Sequence, residues 1–280
     1  MLLLAALWGF QQAAIKLVAA DVPLLLQAAL RSAIATALVL VWTAWRGVPL
    51  FARDGTLRAG IGAGLLFGAE FALIYAGLAY TNVSRMTVFV YLAPPLTALG
   101  VHFFVPGERL SARQWAGVLV AFAGLALAFS EGFSSQRSTW IGDLCGVVAA
   151  LFWAATTVLI RATKLAAAPP AKTLFYQLAV SAGLLFIFSR LLDQTAMGSI
   201  TPLVIASLVY QGVIVAFASY LAWFWLLSRY LAGRLSVMSF LTPLFGVVSG
   251  VLVLGEALTA RFVLAALLIG GGIVLVNRRG

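Results

Sequence analysis

The sequence predicts an all-α integral membrane protein with ten transmembrane helices, arranged as two inverted repeats of five helices each. Three observations predict this fold class: the composition, the spacing of the apolar segments and an internal duplication. Of the 280 residues, 63% are hydrophobic and 9% are charged, whereas about 25% of the residues in soluble domains are charged. A chain of this composition needs lipid around most of its length.

Apolar segments of about 20 residues, the length that a helix needs to cross a bilayer, follow one another along the whole chain. The predicted spans are residues 2–20, 23–45, 59–80, 84–104, 112–130, 140–163, 172–192, 201–228, 234–254 and 261–277. They leave no room for a soluble domain. With both termini in the cytoplasm, twelve Lys and Arg residues fall on the inner side and five on the outer side, and this excess supports that orientation.

The internal duplication relates the two halves of the chain. Eight of the 19 positions from Pro95 to Arg113 recur 148 residues later. The most informative recurrences are those of Pro95, Gly107, Glu108 and Arg113 as Pro243, Gly255, Glu256 and Arg261. At an offset of 145, the recurrences are those of Trp8, Ile15 and Lys16 as Trp153, Ile160 and Arg161. Five spans make an odd number of crossings, so the second repeat, 134–280, enters the membrane from the side opposite to the first, 1–133.

Prolines interrupt the fourth and ninth spans. Because Pro94, Pro95 and Pro243 have no N–H, each removes one helical hydrogen bond and bends its span. The carbonyl groups expected to lose their partners are those of Val90, Tyr91 and Ser239. In a membrane, such carbonyl groups are tolerated only beside other protein groups or a water-filled cavity. The three prolines therefore predict helix breaks at a cavity wall, with a role in gating.

Aromatic and amide side chains accumulate in spans 1, 4, 6 and 8, which suits the binding of an amphiphilic organic molecule. The candidate substrate-binding residues are Trp8, Gln11, Gln12, Tyr75, Tyr91, Trp153, Thr156, Phe217, Tyr220 and Trp223. For the two amides of span 1, hydrogen bonding between helices is an equally good explanation.

Glu70 is the only carboxylate near the middle of any predicted span. Arg31 lies about 12 Å into span 2 at 1.5 Å per residue, where it needs an anionic partner or water. Two interpretations of Glu70 remain open: an acid that couples transport to protons, or one half of a buried ion pair with Lys16 or Arg31.

Other features predict structural roles. Ser111 and Gln114 form a capping-box pattern at the start of span 5, and Glu108 and Glu256 are turn residues that bond backbone groups at helix starts. Small residues at intervals of four predict close helix packing along span 3. Those residues are Gly60, Gly64, Gly68, Ala72 and Ala76.

The sequence resembles the drug/metabolite transporter superfamily, in its EamA-domain branch. The features that carry the resemblance are the ten spans, the five-plus-five repeat, the pattern from Trp8 to Lys16 and the doubled proline, glycine-glutamate and arginine motif. Within that branch the sequence looks most like the YddG-type exporters of aromatic amino acids. The resemblance implies a basket-shaped bundle with a central cavity lined by spans 1, 3, 4, 6, 8 and 9. It also implies outward transport of neutral, partly aromatic metabolites across the bacterial inner membrane.

Alternatives within the superfamily are sugar phosphates, nucleotide sugars and cationic drugs as substrates. A phosphate group calls for two or more basic residues in the cavity, and only Lys16 and Arg31 are available, so a substrate with little net charge is favoured.

An enzyme needs clustered His, Asp or Glu, and a channel needs a ring of repeated polar residues. With one histidine and the lone Cys145, we expect no metal, cofactor or enzymatic activity. The net charge of +10 is scattered over the span ends, so we expect membrane lipid and a small molecule as partners of a functional monomer, and no nucleic acid.

Overall fold

The computed structural model describes residues 1–78, 80–81, 83–130, 140–254 and 260–277, and within these ranges the chain is helical with no strand. The helices are α1 Leu2–Leu17, α2 Leu24–Trp45, α3 Leu57–Gly77, α4 Val83–Val90, α5 Ala93–Phe104, α6 Ala112–Ala128, α7 Trp140–Ala162, α8 Pro170–Leu191, α9 Pro202–Val209, α10 Tyr220–Arg229, α11 Ala232–Met238, α12 Leu241–Leu254 and α13 Ala260–Asn277. A 3₁₀ turn covers Lys164–Ala167, and a π-helical segment covers Tyr210–Ser219.

Eight segments of the described chain are long and apolar enough to cross a membrane, and α1 and α6 are two shorter apolar helices. Together they correspond to the ten predicted spans, and the predicted fold class is confirmed. Three of the spans are composite. Span 4 consists of α4 and α5, span 8 of α9, the π segment and α10, and span 9 of α11 and α12.

Spans 4 and 9 break at equivalent points of the two repeats. The first break lies at Tyr91 and Leu92, and the second at Ser239 and Phe240, which is the 148-residue offset of the sequence duplication. The prolines stand in the first turns of α5 and α12, where a missing N–H costs no helical hydrogen bond. The expected bend inside a continuous helix is therefore replaced by the end of one helix and the start of another.

One expectation about the freed carbonyl groups is wrong. The Ser239 carbonyl accepts a hydrogen bond from the Thr242 N–H at 2.9 Å, because a tighter turn replaces the bond that Pro243 cannot donate. The residues four positions after Val90 and Tyr91 are Pro94 and Pro95. Neither proline has an N–H group, so the Val90 and Tyr91 carbonyls lack their usual helical donors.

The contacts between helices are largely preserved when each helix is replaced by its counterpart in the other half of the chain. Helix α3 packs on α7 and α8, and its counterpart in the second half, the π segment of span 8, packs on α1 and α2. Helix α1 packs on α12, and its counterpart α7 packs on α5. The pairs α2 with α8 and α6 with α13 map onto themselves. At the level of whole spans the same holds for span 4 with span 9, which are in contact through α5 and α11. This is the packing expected of an inverted repeat about a pseudo-two-fold axis.

Small residues set the closest helix approaches, as predicted. A Cβ atom added at Gly64 of α3 would lie 2.5 Å from the Cβ of Val180 and 2.8 Å from the carbonyl oxygen of Tyr176 in α8. Gly60 and Gly68 face α8 in the same way. Only glycine permits such backbone contact, so this ridge stabilises the junction between the two repeats.

Polar links hold the two ends of the bundle. At the end where α6 begins, which we call the Glu108 end, the Lys172 ammonium donates to Asp54 Oδ2 at 2.7 Å and joins the α2–α3 loop to α8. The predicted capping box of Ser111 and Gln114 is formed at the start of α6. At the opposite end, the Asp143 end, Arg85 Nε donates to Asp143 Oδ1 at 3.0 Å and joins α4 to α7.

Candidate substrate site

Three groups of aromatic residues meet between the repeats, and the first joins α1 to α10. The Trp8 ring packs edge-to-face on Tyr220 and Trp223, with ring centroids 6.1 and 5.7 Å apart. Trp8 Nε1 also donates to the Ser219 hydroxyl at 2.8 Å. The structure therefore brings together three of the predicted binding residues and fixes the orientation of the indole ring.

The second group runs along α3. The Tyr220 ring contacts Phe67 at 6.1 Å between centroids, Phe67 contacts Phe71 at 4.9 Å, and Phe71 contacts Tyr75 at 6.2 Å. Tyr75 is one of the predicted binding residues, whereas the two phenylalanines were not predicted. Phe67, Phe71 and Tyr75 follow one another at intervals of four residues, so all three lie on one face of α3. This spacing is the signal in the sequence from which the two phenylalanines could have been predicted.

The third group lies at the two helix breaks. The Tyr91 ring packs on Trp153 of α7 at 5.5 Å and on Phe240 at 6.2 Å. Tyr91 belongs to the break in span 4 and Phe240 to the break in span 9, so the two irregular backbone segments meet through their side chains. Phe240 was not predicted, although it follows the position equivalent to Tyr91 by one residue.

Most of these rings are only partly buried. Trp8, Tyr75, Tyr91, Trp153, Tyr220 and Trp223 are all half-buried. Each of these rings is packed among residues of other helices or along the inner face of its own helix. Their indole N–H and phenol groups add polar contacts to otherwise apolar surroundings.

Other predicted residues lie apart from these groups. The Phe217 ring packs on Trp42 of α2 at 6.2 Å, and the Thr156 hydroxyl donates to the Phe152 carbonyl of its own helix at 2.8 Å. Gln11 is buried, and the side chain of Gln12 lies outside the described residues, as does Glu256. Lys16 is exposed near the end of α1, because α1 ends at Leu17.

The buried charges next to the aromatic groups are Arg31 and Glu70, which are 1% and 5% exposed. The Arg31 guanidinium lies over the Phe71 ring, 4.3 Å from its centroid, and interacts electrostatically with Glu70, Tyr75 and Tyr220. Within the described ranges, however, neither Arg31 nor Lys16 forms an ion pair with Glu70. The two ionisable residues lie in one region of the bundle without forming an ion pair.

This arrangement offers aromatic walls, a buried cation, a carboxyl group and two backbone carbonyls without their helical donors. It suits a small amphiphilic molecule that carries polar or charged groups of its own. No group of His, Cys, Asp and Glu that could hold a metal ion occurs in the part of the chain that the structure describes.

The sequence model of the EamA-like transporter family matches residues 1–130 and 140–278. The chain belongs to the EamA-like transporter family. The two matched stretches correspond to the two five-span halves, and a transporter rather than an enzyme is the class that this family indicates.

Relatives of this EamA protein extend over almost its whole length. A "probable amino-acid metabolite efflux pump" of Salmonella typhimurium is 28% identical over 98% of this chain and 92% of its own length. The Escherichia coli protein of the same description is 26% identical over the same shares of the two chains. A solved crystal structure superposes with a TM-score of 0.82 at 23% identity, covering 98% of this chain and 94% of the other, and supports the fold.

Proposed function

We propose that this protein exports amino-acid metabolites, with aromatic and other neutral amino acids as its preferred substrates, by alternating access. The observation that carries the proposal is the set of aromatic rings around Arg31 and Glu70 at the junction of the two repeats. Aromatic walls bind an apolar side chain, and a buried cation beside a buried acid suits a molecule with a carboxylate and an amino group. The efflux function given for the Salmonella and E. coli relatives supports the direction of transport.

The proposed topology has the repeats 1–133 and 134–280, with both termini and the Glu108 end in the cytoplasm of a bacterium and the protein in its inner membrane. The excess of Lys and Arg on that side supports this orientation. The proposed functional unit is the monomer, because one chain carries both matched stretches of the family and thus both repeats of the inverted pair.

The proposed gating elements are the helix breaks before Pro94 and Pro243. Backbone segments without regular hydrogen bonding absorb rotation more readily than continuous helices. Because Tyr91 and Phe240 are in contact, movement of one break is transmitted to the other, and alternating access requires such coupling between the repeats.

Glu70 is the proposed proton-binding group. It is buried, it lies beside the aromatic groups, and no basic side chain in the described ranges forms an ion pair with it. An ionisable residue in that setting within a membrane typically has a functional role.

A sugar phosphate fits the site less well. Two negative charges call for several cations, whereas the described region around the aromatic groups contains Arg31 alone and Lys16 is exposed. The superfamily that the sequence resembles includes carriers of both kinds of substrate, and the single buried cation of the described site favours the neutral substrates over sugar phosphates.

Flux measurements with purified protein in liposomes test the proposal. The panel contains radiolabelled phenylalanine, tryptophan, alanine, glucose 6-phosphate and a cationic dye, each with and without a pH gradient. We expect flux of the two aromatic amino acids above that of protein-free liposomes. Flux confined to glucose 6-phosphate or the dye would overturn the proposal.

A further inference from the structure

Arg31 is the buried basic residue whose hydrogen-bonding capacity is least used. Its Nε and Nη2 atoms are inaccessible to solvent and donate to no acceptor in the described part of the chain. A guanidinium carries five N–H groups in a rigid fork. Leaving several of them unbonded inside a membrane protein is costly.

Neighbouring groups supply only part of the missing acceptors: the Tyr220 hydroxyl is a side-chain hydrogen-bond partner of Arg31, yet Nε and Nη2 have no acceptor in the described part of the chain. The hydroxyl groups of Ser32 and Thr36, on the same helix, bond to carbonyls of that helix at 2.8 and 2.7 Å. The Glu70 carboxylate is close enough to interact electrostatically with Arg31 but forms no ion pair with it. The protein thus positions the cation without neutralising it by direct contact.

Stacking fixes where the guanidinium lies. The 4.3 Å contact with the Phe71 ring covers one face of the planar group, and its N–H groups point outward from the edge of that plane. Phe71 belongs to the aromatic row that continues through Phe67 to Tyr220 and Trp8. The free edge of the guanidinium is therefore held next to the aromatic groups of the site.

We propose that Arg31 determines specificity by binding the carboxylate of the transported molecule, so that the site selects carboxylates over their amides. This inference rests on the proposed function and adds the recognised chemical group to it. A carboxylate matches the guanidinium fork through two parallel N–H···O bonds. The carboxylate also brings a negative charge into contact with Arg31, which no group in the described part of the protein does. The rest of the substrate lies on the aromatic rings.

Ligand binding to the purified full-length protein in detergent tests this assignment. The probes are two acid and amide pairs: L-phenylalanine with L-phenylalaninamide, and 3-phenylpropanoate with 3-phenylpropanamide. The measured quantity is the ratio of the dissociation constants of amide and acid, obtained from the ligand-induced rise in the unfolding temperature. For the wild type we expect a ratio of about 10 to 100, the usual effect of losing hydrogen bonds to a charged group.

Two variants and a matched control isolate the role of Arg31. In Arg31→Gln the ratio is expected to fall to about 1, and in Arg31→Lys to fall several-fold, since a point charge lacks the fork geometry. Arg46→Gln, at the exposed end of the same helix, is expected to keep the wild-type ratio. Because each ratio is taken within one variant, a general loss of stability does not change it, and Arg31→Lys serves if Arg31→Gln does not fold.

The outcomes separate this inference from the proposed function. Equal binding of acid and amide by the wild type, an unchanged ratio in the Arg31 variants, or binding of none of the four probes overturns the inference. An Arg31-dependent preference for 3-phenylpropanoate over its amide, together with no amino-acid flux in liposomes, supports the inference and overturns the proposed function.

Discussion

Glu108 of the first half and Arg161 of the second are joined by a buried ion pair. Glu108 Oε1 accepts a hydrogen bond from Arg161 Nε at 2.6 Å, and Glu108 Oε2 accepts from the backbone N–H of Ala232 at 2.6 Å. Arg161 Nη1 in turn donates to the Leu227 carbonyl at 2.8 Å. One carboxylate, 2% exposed, thus joins the end of α7 to the start of α11 at the Glu108 end of the bundle.

The first prediction concerns this link. We expect Glu108→Gln to lower the free energy of unfolding by about 2–3 kcal/mol, because it leaves Arg161 without its anion in a partly buried position. Thermal unfolding in detergent measures the change. Arg109→Gln, at the next and exposed position, is the control and should have little effect. In the double variant Glu108→Gln/Arg161→Gln the loss should be smaller than the sum of the single losses, and strict additivity would show that the pair is not coupled.

The contacts of Glu108 include some features that were predictable from the sequence and others that were not. The spans were predictable because hydrophobicity is a local property, and the two breaks were predictable because proline acts on its own turn. That Glu108 bonds a helix start was also expected. Its partner Arg161 and the recipient helix α11 were not, because they depend on how distant helices approach one another.

The π segment of span 8 was not predictable for a similar reason. Its side chains bond to other helices: the Tyr210 hydroxyl donates to the Leu7 carbonyl at 2.9 Å, and Gln211 Nε2 donates to Gln27 Oε1 at 2.9 Å. A shift of hydrogen-bond register that is stabilised by tertiary contacts leaves no periodic signal in the sequence. In the candidate site, residue type identified Trp8, Tyr91, Trp153 and Tyr220, whereas the stacking of Arg31 on Phe71 required the structure.

The second prediction concerns pH and Asp54. The Lys172 ammonium, with help from the Thr56 hydroxyl, holds the pKa of the Asp54 carboxyl well below its usual range. A depressed pKa contributes stability that is complete above the unfolded value of about 3.9 and is lost as the pH falls through the folded value. Wild type should therefore unfold at a higher temperature than Asp54→Asn at pH 7, and the difference should narrow below about pH 4.

The control for Asp54 is Asp21→Asn, since the Asp21 carboxyl forms no ion pair in the described ranges. A difference between wild type and Asp54→Asn that stays constant down to pH 3 would show that the loss has another cause than the charge of Asp54.

The third prediction concerns the aromatic groups. Trp153→Ala and Tyr91→Ala should each lower substrate flux in liposomes by about 3- to 10-fold, the equivalent of one aromatic contact, with unchanged protein yield. Trp140→Ala is the matched control on the same helix α7, because this ring is 72% exposed and lies in the expected aromatic belt. Equal flux from all three variants would place the substrate elsewhere.

The fourth prediction concerns the ridge of small residues on α3. Gly64→Ala should destabilise the protein by about 1–3 kcal/mol, because the new methyl group would meet both a Val180 side chain and a backbone carbonyl. Gly183→Ala on the facing helix α8 has no atom within 4 Å of its added Cβ. It should therefore be neutral or slightly stabilising, since alanine favours helix. Thermal unfolding of the two variants in the same detergent measures the difference in stability. Equal unfolding midpoints would contradict the prediction, because α3 and α8 would then accommodate the new methyl group without loss of stability.

The fifth prediction concerns Glu70 and the driving force. If one proton is exchanged for each substrate molecule, a gradient of one pH unit supports about a tenfold substrate concentration ratio. Glu70→Gln preserves the size of the side chain but cannot exchange a proton, so we expect this variant to equilibrate substrate without accumulating it. Glu70→Asp, which keeps the acid, should accumulate substrate in response to the gradient. The measurement is substrate accumulation in liposomes with and without the pH gradient, at matched protein content. Accumulation by Glu70→Gln equal to that of the wild type would assign proton coupling to another group, and Arg31 would then stand as the only functional charge of the described site.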